Sequence, residues 1–377
     1  MLKAPKFTIG IEEEYHLVDR ETRDLVAARP DDMMADLEKS LEGQVSPEFM
    51  NSQIEVETKV SKTVADAGKD LRRLRKTVAK SAGEHGMAII AASTHPFATW
   101  AAQQHTDKER YNILARDMQT VARRLLISGM HVHVGIEDEE LRIDLLNQIS
   151  YFLPHLLALS TSSPFWRGKE TGLKSYRIAV WDELPRTGLP EQFDSWGEYQ
   201  RHIQVMTSAG LIEDATKIWW DVRPSARYPT LEMRIADIPT RVEDSVCLAA
   251  LYLCMLRMLY RLRRQNQRWR RYANLLINEN RWRAQRYGID EGMVDLGKGE
   301  IVPYAELLEE LIALTAEDAE HFGCTAEVAH ARTILERGTS AHRQLARYHA
   351  LIDGGADKLD ALKGVVDQLI EETVEGC

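Results

Sequence analysis

The sequence predicts an α+β protein, and three features of the 377-residue chain support this fold class. Strand-like and helix-like stretches alternate over residues 1–241, without the regular strand–helix–strand rhythm of a parallel sheet. Residues 242–377 have an almost entirely helical pattern that is interrupted at glycines. Four of the strands place ionisable side chains on one face. Because no repeat or Pro/Ser-rich linker separates the two parts, we expect one domain over residues 1–377.

The elements follow from the local pattern. Candidate strands span residues 7–18, 53–60, 87–93, 130–136 and 218–236, the last as two strands joined at 224–229. Apolar residues at three- and four-residue spacing predict helices at 63–84, 108–127 and 138–160. Thr63 is the predicted N-cap of the first helix, because Asp66 follows three residues later. The helical part is predicted to contain helices at 242–286, 304–321, 325–337, 339–352 and 356–375.

Composition excludes several classes of protein. The net charge of −10 argues against general nucleic-acid binding. No apolar run approaches the length of a membrane span, and the first residues lack the pattern of a signal peptide. The four cysteines show no CxxC spacing for zinc or redox chemistry. We therefore expect a cytoplasmic protein with neither nucleic acid nor membrane as a partner.

One segment departs from the acidic balance, because residues 257–286 carry ten arginines. One interpretation is a long helix whose solvated basic face pairs with acidic neighbours. The alternative is that a few of these arginines contact phosphate groups. The sequence alone favours the first interpretation and leaves the second open.

The stretch "GIEEEYHLVD" contains three consecutive glutamates inside a candidate strand. Residues i and i+2 of a strand share a face. Glu12, Glu14 and His16 therefore lie on one face, and Glu13 lies on the other among apolar residues. We expect a structural ion pair for Glu13, because it points away from the other two.

Three further strands repeat this arrangement. The shared polar faces contain Gln53, Glu55, Glu57 and Lys59 in one strand, His131 and His133 in the next, and Glu232 and Arg234 in the last. A single such strand indicates only a sheet with a wet side. Four of them, if they are neighbours, form a carboxylate-rich face that needs cations. Glutamate oxygens with imidazole suit Mg²⁺ or Mn²⁺, and the lack of cysteine argues against structural zinc.

A face that carries Mg²⁺ is suited to polyphosphate, since Mg²⁺ commonly binds through carboxylates and substrate phosphates. The chain has neither a GxxxxGK[ST] loop nor a GxGxxG fingerprint. A nucleotide would therefore be held by metal and by cationic side chains, whose planar or ammonium groups match phosphate. The candidates are Arg223, Arg227 and Arg234, together with Arg167, Lys169, Lys174 and Arg177. Structural ion pairs are the alternative for each of them.

The same stretches resemble the carboxylate–amine ligases of glutamate–cysteine ligase family 2. The matching segments are "GIEEEYHLVD", "IEVETKV", "SGMHVHVGI", "SPFWRGKETGLKSYR", "WWDVRPSARYPTLEMRIAD" and "ENRWRAQRYG". They extend from residue 10 to about residue 288, so the resemblance covers essentially the whole chain. It implies a glutamine-synthetase-like catalytic domain in which one face of an antiparallel sheet carries ATP and Mg²⁺, with residues 1–241 as the mixed core and 242–377 as the helical portion.

The resemblance also implies roles for individual residues. Glu12, Glu14, Glu55 and Glu232 correspond to metal ligands, and His131 to a ligand of metal or nucleotide phosphate. Arg234 corresponds to a phosphate contact that acts in catalysis, with Arg223 and Arg227 nearby. Tyr176, Arg177 and Glu57 correspond to contacts with the substrate, and Arg177 is a second candidate for a catalytic role. A homodimer is expected by resemblance only.

The implied reaction is ATP-dependent amide formation through an acyl phosphate, from a small-molecule carboxylate and an amine. The γ-carboxylate of glutamate and cysteine are the substrates that the family name suggests. Three alternatives remain: a metal-dependent hydrolase, a phosphagen-kinase-like phosphotransferase, and a non-catalytic nucleotide-binding homologue. They differ in whether nucleotide is needed and in whether free phosphate is released.

Overall fold

The computed structural model describes residues 4–99, 103–107, 109, 116 and 124–377. Its strands are β1 (Ile9–Asp19), β2 (Val45–Pro47), β3 (Gln53–Glu57), β4 (Met87–Ile90), β5 (Met130–Gly135), β6 (Phe165–Trp166), β7 (Lys169–Glu170), β8 (Thr187–Gly188), β9 (Trp219–Trp220), β10 (Val222–Pro224), β11 (Thr230–Met233), β12 (Met293–Asp295) and β13 (Glu300–Val302). The helices are α1 (Asp31–Leu41), α2 (Val64–Glu84), α3 (Glu139–Ile149), α4 (Leu153–Ser160), α5 (Tyr176–Trp181), α6 (Trp196–Ser208), α7 (Val242–Arg264), α8 (Asn274–Tyr287), α9 (Tyr304–Phe322), α10 (Thr325–Arg337), α11 (Ser340–Asp353) and α12 (Lys358–Val374).

Seven strands form one antiparallel sheet, so the predicted α+β class is confirmed. The strand order is β10-β11-β5-β1-β3-β2, and β4 pairs with the second half of β1. The first half of β1 pairs with β5, and β3 lies on its other side. The long central strand β1 therefore pairs directly with two of the three other strands that carry the predicted polar face, and β11 joins them through β5.

The apolar face of the sheet packs on helices. Ile11, Tyr15, Val56, Val132 and Met233 are fully buried in one hydrophobic core. Helices α2 and α7 pack against β1, and α3 packs against β10 and β11. The same core includes α9 and α10, which belong to the helical part. Burial of apolar area on this side, at about 25 cal/mol per Å², fixes which face of each strand is left for polar groups.

Several predicted boundaries agree closely with the structure. Thr63 caps α2, and its hydroxyl accepts the Asp66 N–H at 3.1 Å. The predicted helix at 138–160 is divided by a 3₁₀ turn at Ser150–Phe152, because Pro154 lacks the N–H that would continue an α-helix. The predicted helix at 242–286 is two helices, α7 and α8, joined by residues 265–273. Strand β2 and helices α1, α5 and α6 were not predicted. The predicted helix at 108–127 lies outside the described residues except for 109, 116 and 124–127.

Helix α7 corrects the expectation that no segment could span a membrane. By length and composition, Val242–Arg264 is the one helix in the described ranges that is apolar enough to do so. However, 83% of its apolar window is buried inside the protein. Such burial is typical of the central helix of a core, and α7 packs against α2, α9 and α10 as well as the sheet.

Candidate functional site

The strand register brings the predicted polar residues onto one face of the sheet. Glu12 of β1 pairs with Glu57 of β3 on one side and with His131 of β5 on the other. Glu14 of β1 pairs with Glu55 of β3. On β11, Glu232 pairs with His133 and, toward β10, with Arg223. Five strands therefore contribute charged or titratable side chains to a continuous surface, which we call the acidic face.

An outer group on this face contains Glu12, His131 and Glu232, with one ligand atom of each within 4.8 Å of the others. Glu12 Oε2 lies 2.9 Å from His131 Nδ1, and Glu12 Oε1 lies 2.9 Å from His133 Nε2. The two imidazoles thus hold the two oxygens of one carboxylate. This arrangement fixes the direction in which Glu12 faces.

Glu232 in the outer group is held by two arginines. Arg223 Nε and Nη2 donate to its two carboxylate oxygens at 2.9 and 3.1 Å, and Arg234 Nη1 also binds it. Burial opposes ionisation, but Arg234 and Arg223 together hold the pKa of Glu232 well below its usual range. For Glu12, burial is likewise outweighed by His133 and His131, so its pKa is also lowered. The outer carboxylates are therefore ionised and already balanced.

The histidines of the outer group differ in protonation. Burial, followed by the charge of Arg234, lowers the pKa of His131 to about 4. Burial also disfavours the charged form of His133, but Glu12 outweighs it and the pKa of His133 is raised. Neutral imidazole is the form that binds a metal ion, so His131 is the histidine with the appropriate state.

An inner group contains Glu14, Glu48 and Glu55, again with ligand atoms within 4.8 Å of one another. Its only described donors are neutral: the Gly129 N–H to Glu14 Oε2 at 2.6 Å, the Ser46 hydroxyl to Glu55 Oε1 at 3.1 Å, and the Phe49 N–H to Glu48. Among the described residues, no lysine or arginine nitrogen lies within 4 Å of these three carboxylates. Within the described ranges, the inner group therefore has no direct ion pair with lysine or arginine of the kind that balances Glu232.

Electrostatics shows the consequence of that difference. Burial, together with Glu48, raises the pKa of Glu14 to about 8. Burial and the neighbouring glutamates raise the pKa of Glu55 well above its usual range. Three close carboxylates must either keep protons or share a cation, because a buried unpaired charge is very costly. The donor set, which is oxygen only, fits Mg²⁺ or Mn²⁺.

Glu48 is the member of the inner group that the sequence did not predict. It follows directly after β2, a three-residue strand that ends at Pro47. The segment is too short to show alternation, and proline rarely lies within a central strand. Pairing of Ser46 with Glu55 brings Glu48 to the acidic face. An isolated glutamate beside a short Val-Ser-Pro segment was the only available signal.

The remaining candidates differ in burial and contacts: Arg167 and Lys169 are exposed, and Lys174 forms an ion pair with Asp290 at 3.0 Å. Glu57 is half-buried opposite Glu12, and burial, followed by the charge of Glu12, raises its pKa. Arg227 lies exposed in the loop between β10 and β11 and is close enough to Glu57 to oppose that shift. The Tyr176 ring packs on Trp166 with 5.3 Å between the ring centroids. Arg177 is buried, and its guanidinium donates to backbone carbonyls behind the face.

Glu13 and His16 do not belong to the acidic face. Glu13 forms the expected ion pair, because Arg75 Nε and Nη2 donate to its two oxygens at 2.7 and 2.6 Å. His16 is buried beside Ser128, with 3.2 Å between Nε2 and Oγ. Burial lowers the pKa of His16 to about 3, so this histidine is neutral.

The arginine-rich segment supports the ion-pair interpretation. Asp318 accepts from Arg257 and Arg261, and Asp144 accepts from Arg263 and Arg268. Arg281 differs from these, because it is buried and bridges two aspartates. These are Asp182 at the end of α5 and Asp221, which lies between β9 and β10. Its role is to tie α8 to the segment that leads into the acidic face.

Known proteins match this chain along its length. Residues 8–368 match the glutamate–cysteine ligase family 2. A Rhodospirillum rubrum protein named "Putative glutamate--cysteine ligase 2" is 62% identical over 377 residues, covering 99% of this chain and 97% of that protein. A Jannaschia protein of the same name is 55% identical over 366 residues, covering 97% and 96%.

Solved structures share the fold at low identity. A glutamate–cysteine ligase from Francisella tularensis, solved with AMP, has a TM-score of 0.68 and 15% identity, covering 100% of this chain and 91% of that one. A bifunctional glutathione synthetase from Pasteurella multocida has a TM-score of 0.69 and 17% identity, covering 98% of this chain and 53% of that one. This chain thus spans about half of the Pasteurella enzyme.

These matches and the sheet with its acidic face define a carboxylate–amine ligase, an enzyme that forms C–N bonds. The chain belongs to glutamate–cysteine ligase family 2.

Proposed function

We propose that this ligase uses ATP to activate a small-molecule carboxylate, the γ-carboxylate of glutamate or a close analogue, and joins it to an amine such as cysteine. The observation that carries the proposal is the inner acidic group. Glu14, Glu48 and Glu55 converge without a cationic partner among the described residues, while the neighbouring Glu232 has two arginines. Such a contrast fits a face that is completed by divalent cations and the phosphates they bring.

Two sets of residues would hold the metal ions. The inner set is Glu14, Glu48 and Glu55, and the outer set is Glu12, His131 and Glu232. A bound Mg²⁺ supplies positive charge that offsets the repulsion between a carboxylate and a triphosphate. His131 suits the outer set because its pKa is lowered to about 4, which leaves a ring nitrogen free of its proton at neutral pH.

Arginine side chains would orient the phosphates. Arg234 binds Glu232 and lies 3.5 Å from His131 Nδ1, so its guanidinium lies at the centre of the outer group. Arg223 anchors the other side of Glu232. Arg227 is exposed at the rim of the face and is free to meet a nucleotide that approaches from solvent. A planar guanidinium matches phosphate oxygens in pairs, which favours this division of roles.

The proposed chemistry has two steps. An oxygen of the substrate carboxylate attacks the terminal phosphorus of ATP, which gives an acyl phosphate and ADP. The amine, after losing a proton, attacks the activated carbonyl, and inorganic phosphate leaves as the amide forms. Positioning and charge stabilisation supply most of the rate in such phosphoryl transfers, so no nucleophilic side chain is required. Tyr176 and Glu57 are the proposed contacts to the substrates.

The test is product analysis with ATP, Mg²⁺, glutamate and a panel of amines that includes cysteine. We expect ADP, phosphate and amide in equal amounts, and ADP formation that depends on both the carboxylate and the amine. Turnover without nucleotide would indicate a metal-dependent hydrolase. A phosphorylated product without free phosphate would indicate a phosphotransferase, and nucleotide binding without turnover would indicate a binding protein. Each of these three results contradicts the proposal.

We further propose that the enzyme acts in the cytoplasm as a homodimer. The composition and the burial of α7 support the first statement, since α7 is occupied by core contacts. The second statement derives from the family resemblance. Sedimentation of the purified chain decides the oligomeric state, and a monomer at all concentrations would contradict it.

A further inference from the structure

Arg177 and Asp237 form a buried charged layer behind one end of the acidic face. Arg177 is 2% exposed and Asp237 is 0% exposed. In the described part of the chain, no carboxylate oxygen lies within 4 Å of the Arg177 guanidinium, which donates to backbone carbonyls instead. A guanidinium in such a place cannot meet a substrate without a rearrangement of its surroundings. The residues that the Arg177 side chain contacts therefore indicate its role.

The first contact is with Gly129, which precedes β5. A Cβ atom at this position would lie 2.5 Å from Arg177 Nη2, so only glycine leaves room for the guanidinium. The Gly129 N–H donates to Glu14 Oε2 at 2.6 Å, and the Gly129 carbonyl accepts the Glu14 N–H at 3.2 Å. Arg177 thus packs on the peptide unit that holds Glu14 of the inner group.

The second contact is with the segment that follows β11. Arg177 Nη2 donates to the Arg234 carbonyl at 3.1 Å, and Nη1 donates to the Ile235 carbonyl at 3.3 Å. Both guanidinium carbons, of Arg177 and Arg234, lie 5.6 Å from the centre of the Trp181 ring. The backbone and the side chain of Arg234 are therefore both supported from the Arg177 side. This segment carries the arginine that binds Glu232.

Asp237 holds Arg177 in turn. Its carboxylate accepts the Ser162 N–H at 2.9 Å, the Ser163 hydroxyl at 2.7 Å and the Ser175 hydroxyl at 2.8 Å. Ser163 Oγ then accepts the Arg177 N–H at 3.1 Å. Ser175 occupies the N-cap of α5 but makes no capping bond, because its hydroxyl is used by Asp237. Asp237 thereby fixes the first turn of α5.

We propose that Arg177 and Asp237 are positioning residues that hold Glu14 and Arg234 in the geometry needed for metal and nucleotide. This role replaces the substrate contact that the family resemblance implies for Arg177. The inference rests on the metal-binding face proposed above. It assigns to Asp237, which the sequence did not single out, an influence on the inner acidic group that acts through Arg177.

Binding of Mn²⁺ to the purified chain, without nucleotide or substrate, tests this inference. The signal of free Mn²⁺ in electron paramagnetic resonance reports the affinity. We expect Arg177→Met and Asp237→Asn each to weaken Mn²⁺ binding by about 10-fold or more, the range found for residues that orient metal ligands. The matched control is Asp244→Asn, which alters another buried aspartate that pairs with Arg337, away from the acidic face. Its affinity should remain within about twofold of wild type.

Four results would overturn the inference. One is wild-type Mn²⁺ affinity in folded Arg177→Met or Asp237→Asn. Another is a raised KM for the carboxylate substrate with unchanged Mn²⁺ affinity, which would restore the substrate-contact role. If neither variant folds, Ser163→Ala and Ser175→Ala remove single bonds to Asp237, and wild-type Mn²⁺ affinity in both would be decisive. Absence of Mn²⁺ binding by the wild type would overturn the metal-binding face as well, whereas failure to form ADP would contradict only the proposed reaction.

Discussion

The two faces of β1 deal with adjacent glutamates in opposite ways. Glu13 points into the core, where Arg75 binds both of its oxygens and the hydroxyls of Tyr15 and Ser245 donate to them at 2.6 Å. Glu14, one residue along, meets Glu48 and Glu55 with only neutral donors among the described residues. The Glu13 site is complete within the protein, whereas in our proposal a divalent cation completes the inner group. Glu13 and Glu14 are both poorly accessible, and they differ in whether charged partners satisfy the carboxylate oxygens.

The largest expected effect is the loss of stability when the buried Glu13–Arg75 pair is broken. Both side chains of the Glu13–Arg75 pair are 0% exposed. Glu13→Gln should destabilise the protein by about 3–5 kcal/mol, because Arg75 is left as a buried unpaired charge. Urea unfolding followed by circular dichroism measures the change. The exposed pair of Glu309 and Arg332 provides the control, and Glu309→Gln should leave the urea midpoint close to wild type. Equal urea midpoints for Glu13→Gln and Glu309→Gln would contradict a stabilising role for the buried pair.

Substitutions on the acidic face should instead lower the turnover of the enzyme. Glu12→Gln and Glu232→Gln should each lower kcat by about 100-fold or more, as expected when charge stabilisation by a metal ion is lost. Their urea midpoints should change much less than that of Glu13→Gln. The measurement is ADP release with the best carboxylate and amine pair. Near-normal turnover in both variants would place the metal site elsewhere.

Added Mg²⁺ should raise the thermal midpoint by several degrees, since a ligand that binds only the native state stabilises it. The effect should depend on pH. Burial and Glu48 raise the pKa of Glu14 from its ordinary value of 4.5 to about 8 in the metal-free protein. Between these values the unfolded chain loses a proton that the native protein keeps, so the free energy of unfolding falls as pH rises.

Mg²⁺ has to displace that proton below about pH 8 and not above it. The gain in thermal midpoint should therefore be larger at about pH 9 than at about pH 6. Differential scanning fluorimetry with and without EDTA measures this gain. An equal gain at both pH values would show that the inner group is not where Mg²⁺ binds.

Glu48→Gln should have the smallest effect and the opposite sign to Glu13→Gln. Removal of one carboxylate relieves repulsion within the inner group, so the metal-free protein should gain about 1 kcal/mol or less. The same variant should respond less to Mg²⁺, because one ligand is weakened. Thermal midpoints of both variants, with and without Mg²⁺, provide the comparison. A lower midpoint for metal-free Glu48→Gln would contradict the predicted relief of repulsion within the inner group.

The division between the two faces was predictable from the sequence because strand alternation is strict. Glu12 and Glu14 fall together, and Glu13 falls with Ile11 and Tyr15, whatever the strand order. The two-residue alternation does not predict the order of strands in the sheet. The position of Glu48 depends on that order, since β2 reaches the acidic face only through its pairing with β3. The role of Asp237 was also not predictable from the sequence. Its partners Ser162, Ser163 and Ser175 are distant in sequence and show no periodic pattern.

In the helical part, the sequence pattern predicted helices but not the contacts of their charged side chains. Its predicted helix boundaries agree well with the structure from residue 304 onward, but the contacts of its arginines did not follow from their number. Arg281 is buried between two aspartates, whereas Arg263 and Arg268 share one aspartate near the surface. Apolar periodicity identifies the helices, and only the tertiary fold determines which charge of each helix is buried.

The buried arginine opposite the acidic face also has a consequence for folding. Arg75 Nη1 donates to the Thr240 and Thr373 carbonyls at 2.6 and 3.4 Å, and the Thr373 hydroxyl accepts the Ala91 N–H at 2.9 Å. Thr373 lies in α12, more than 350 residues along the chain from Glu13. The buried site around Arg75 is therefore completed only when α12 packs against β4 and α2. Contacts of such long range slow folding, and docking of α12 is expected to be among its late events.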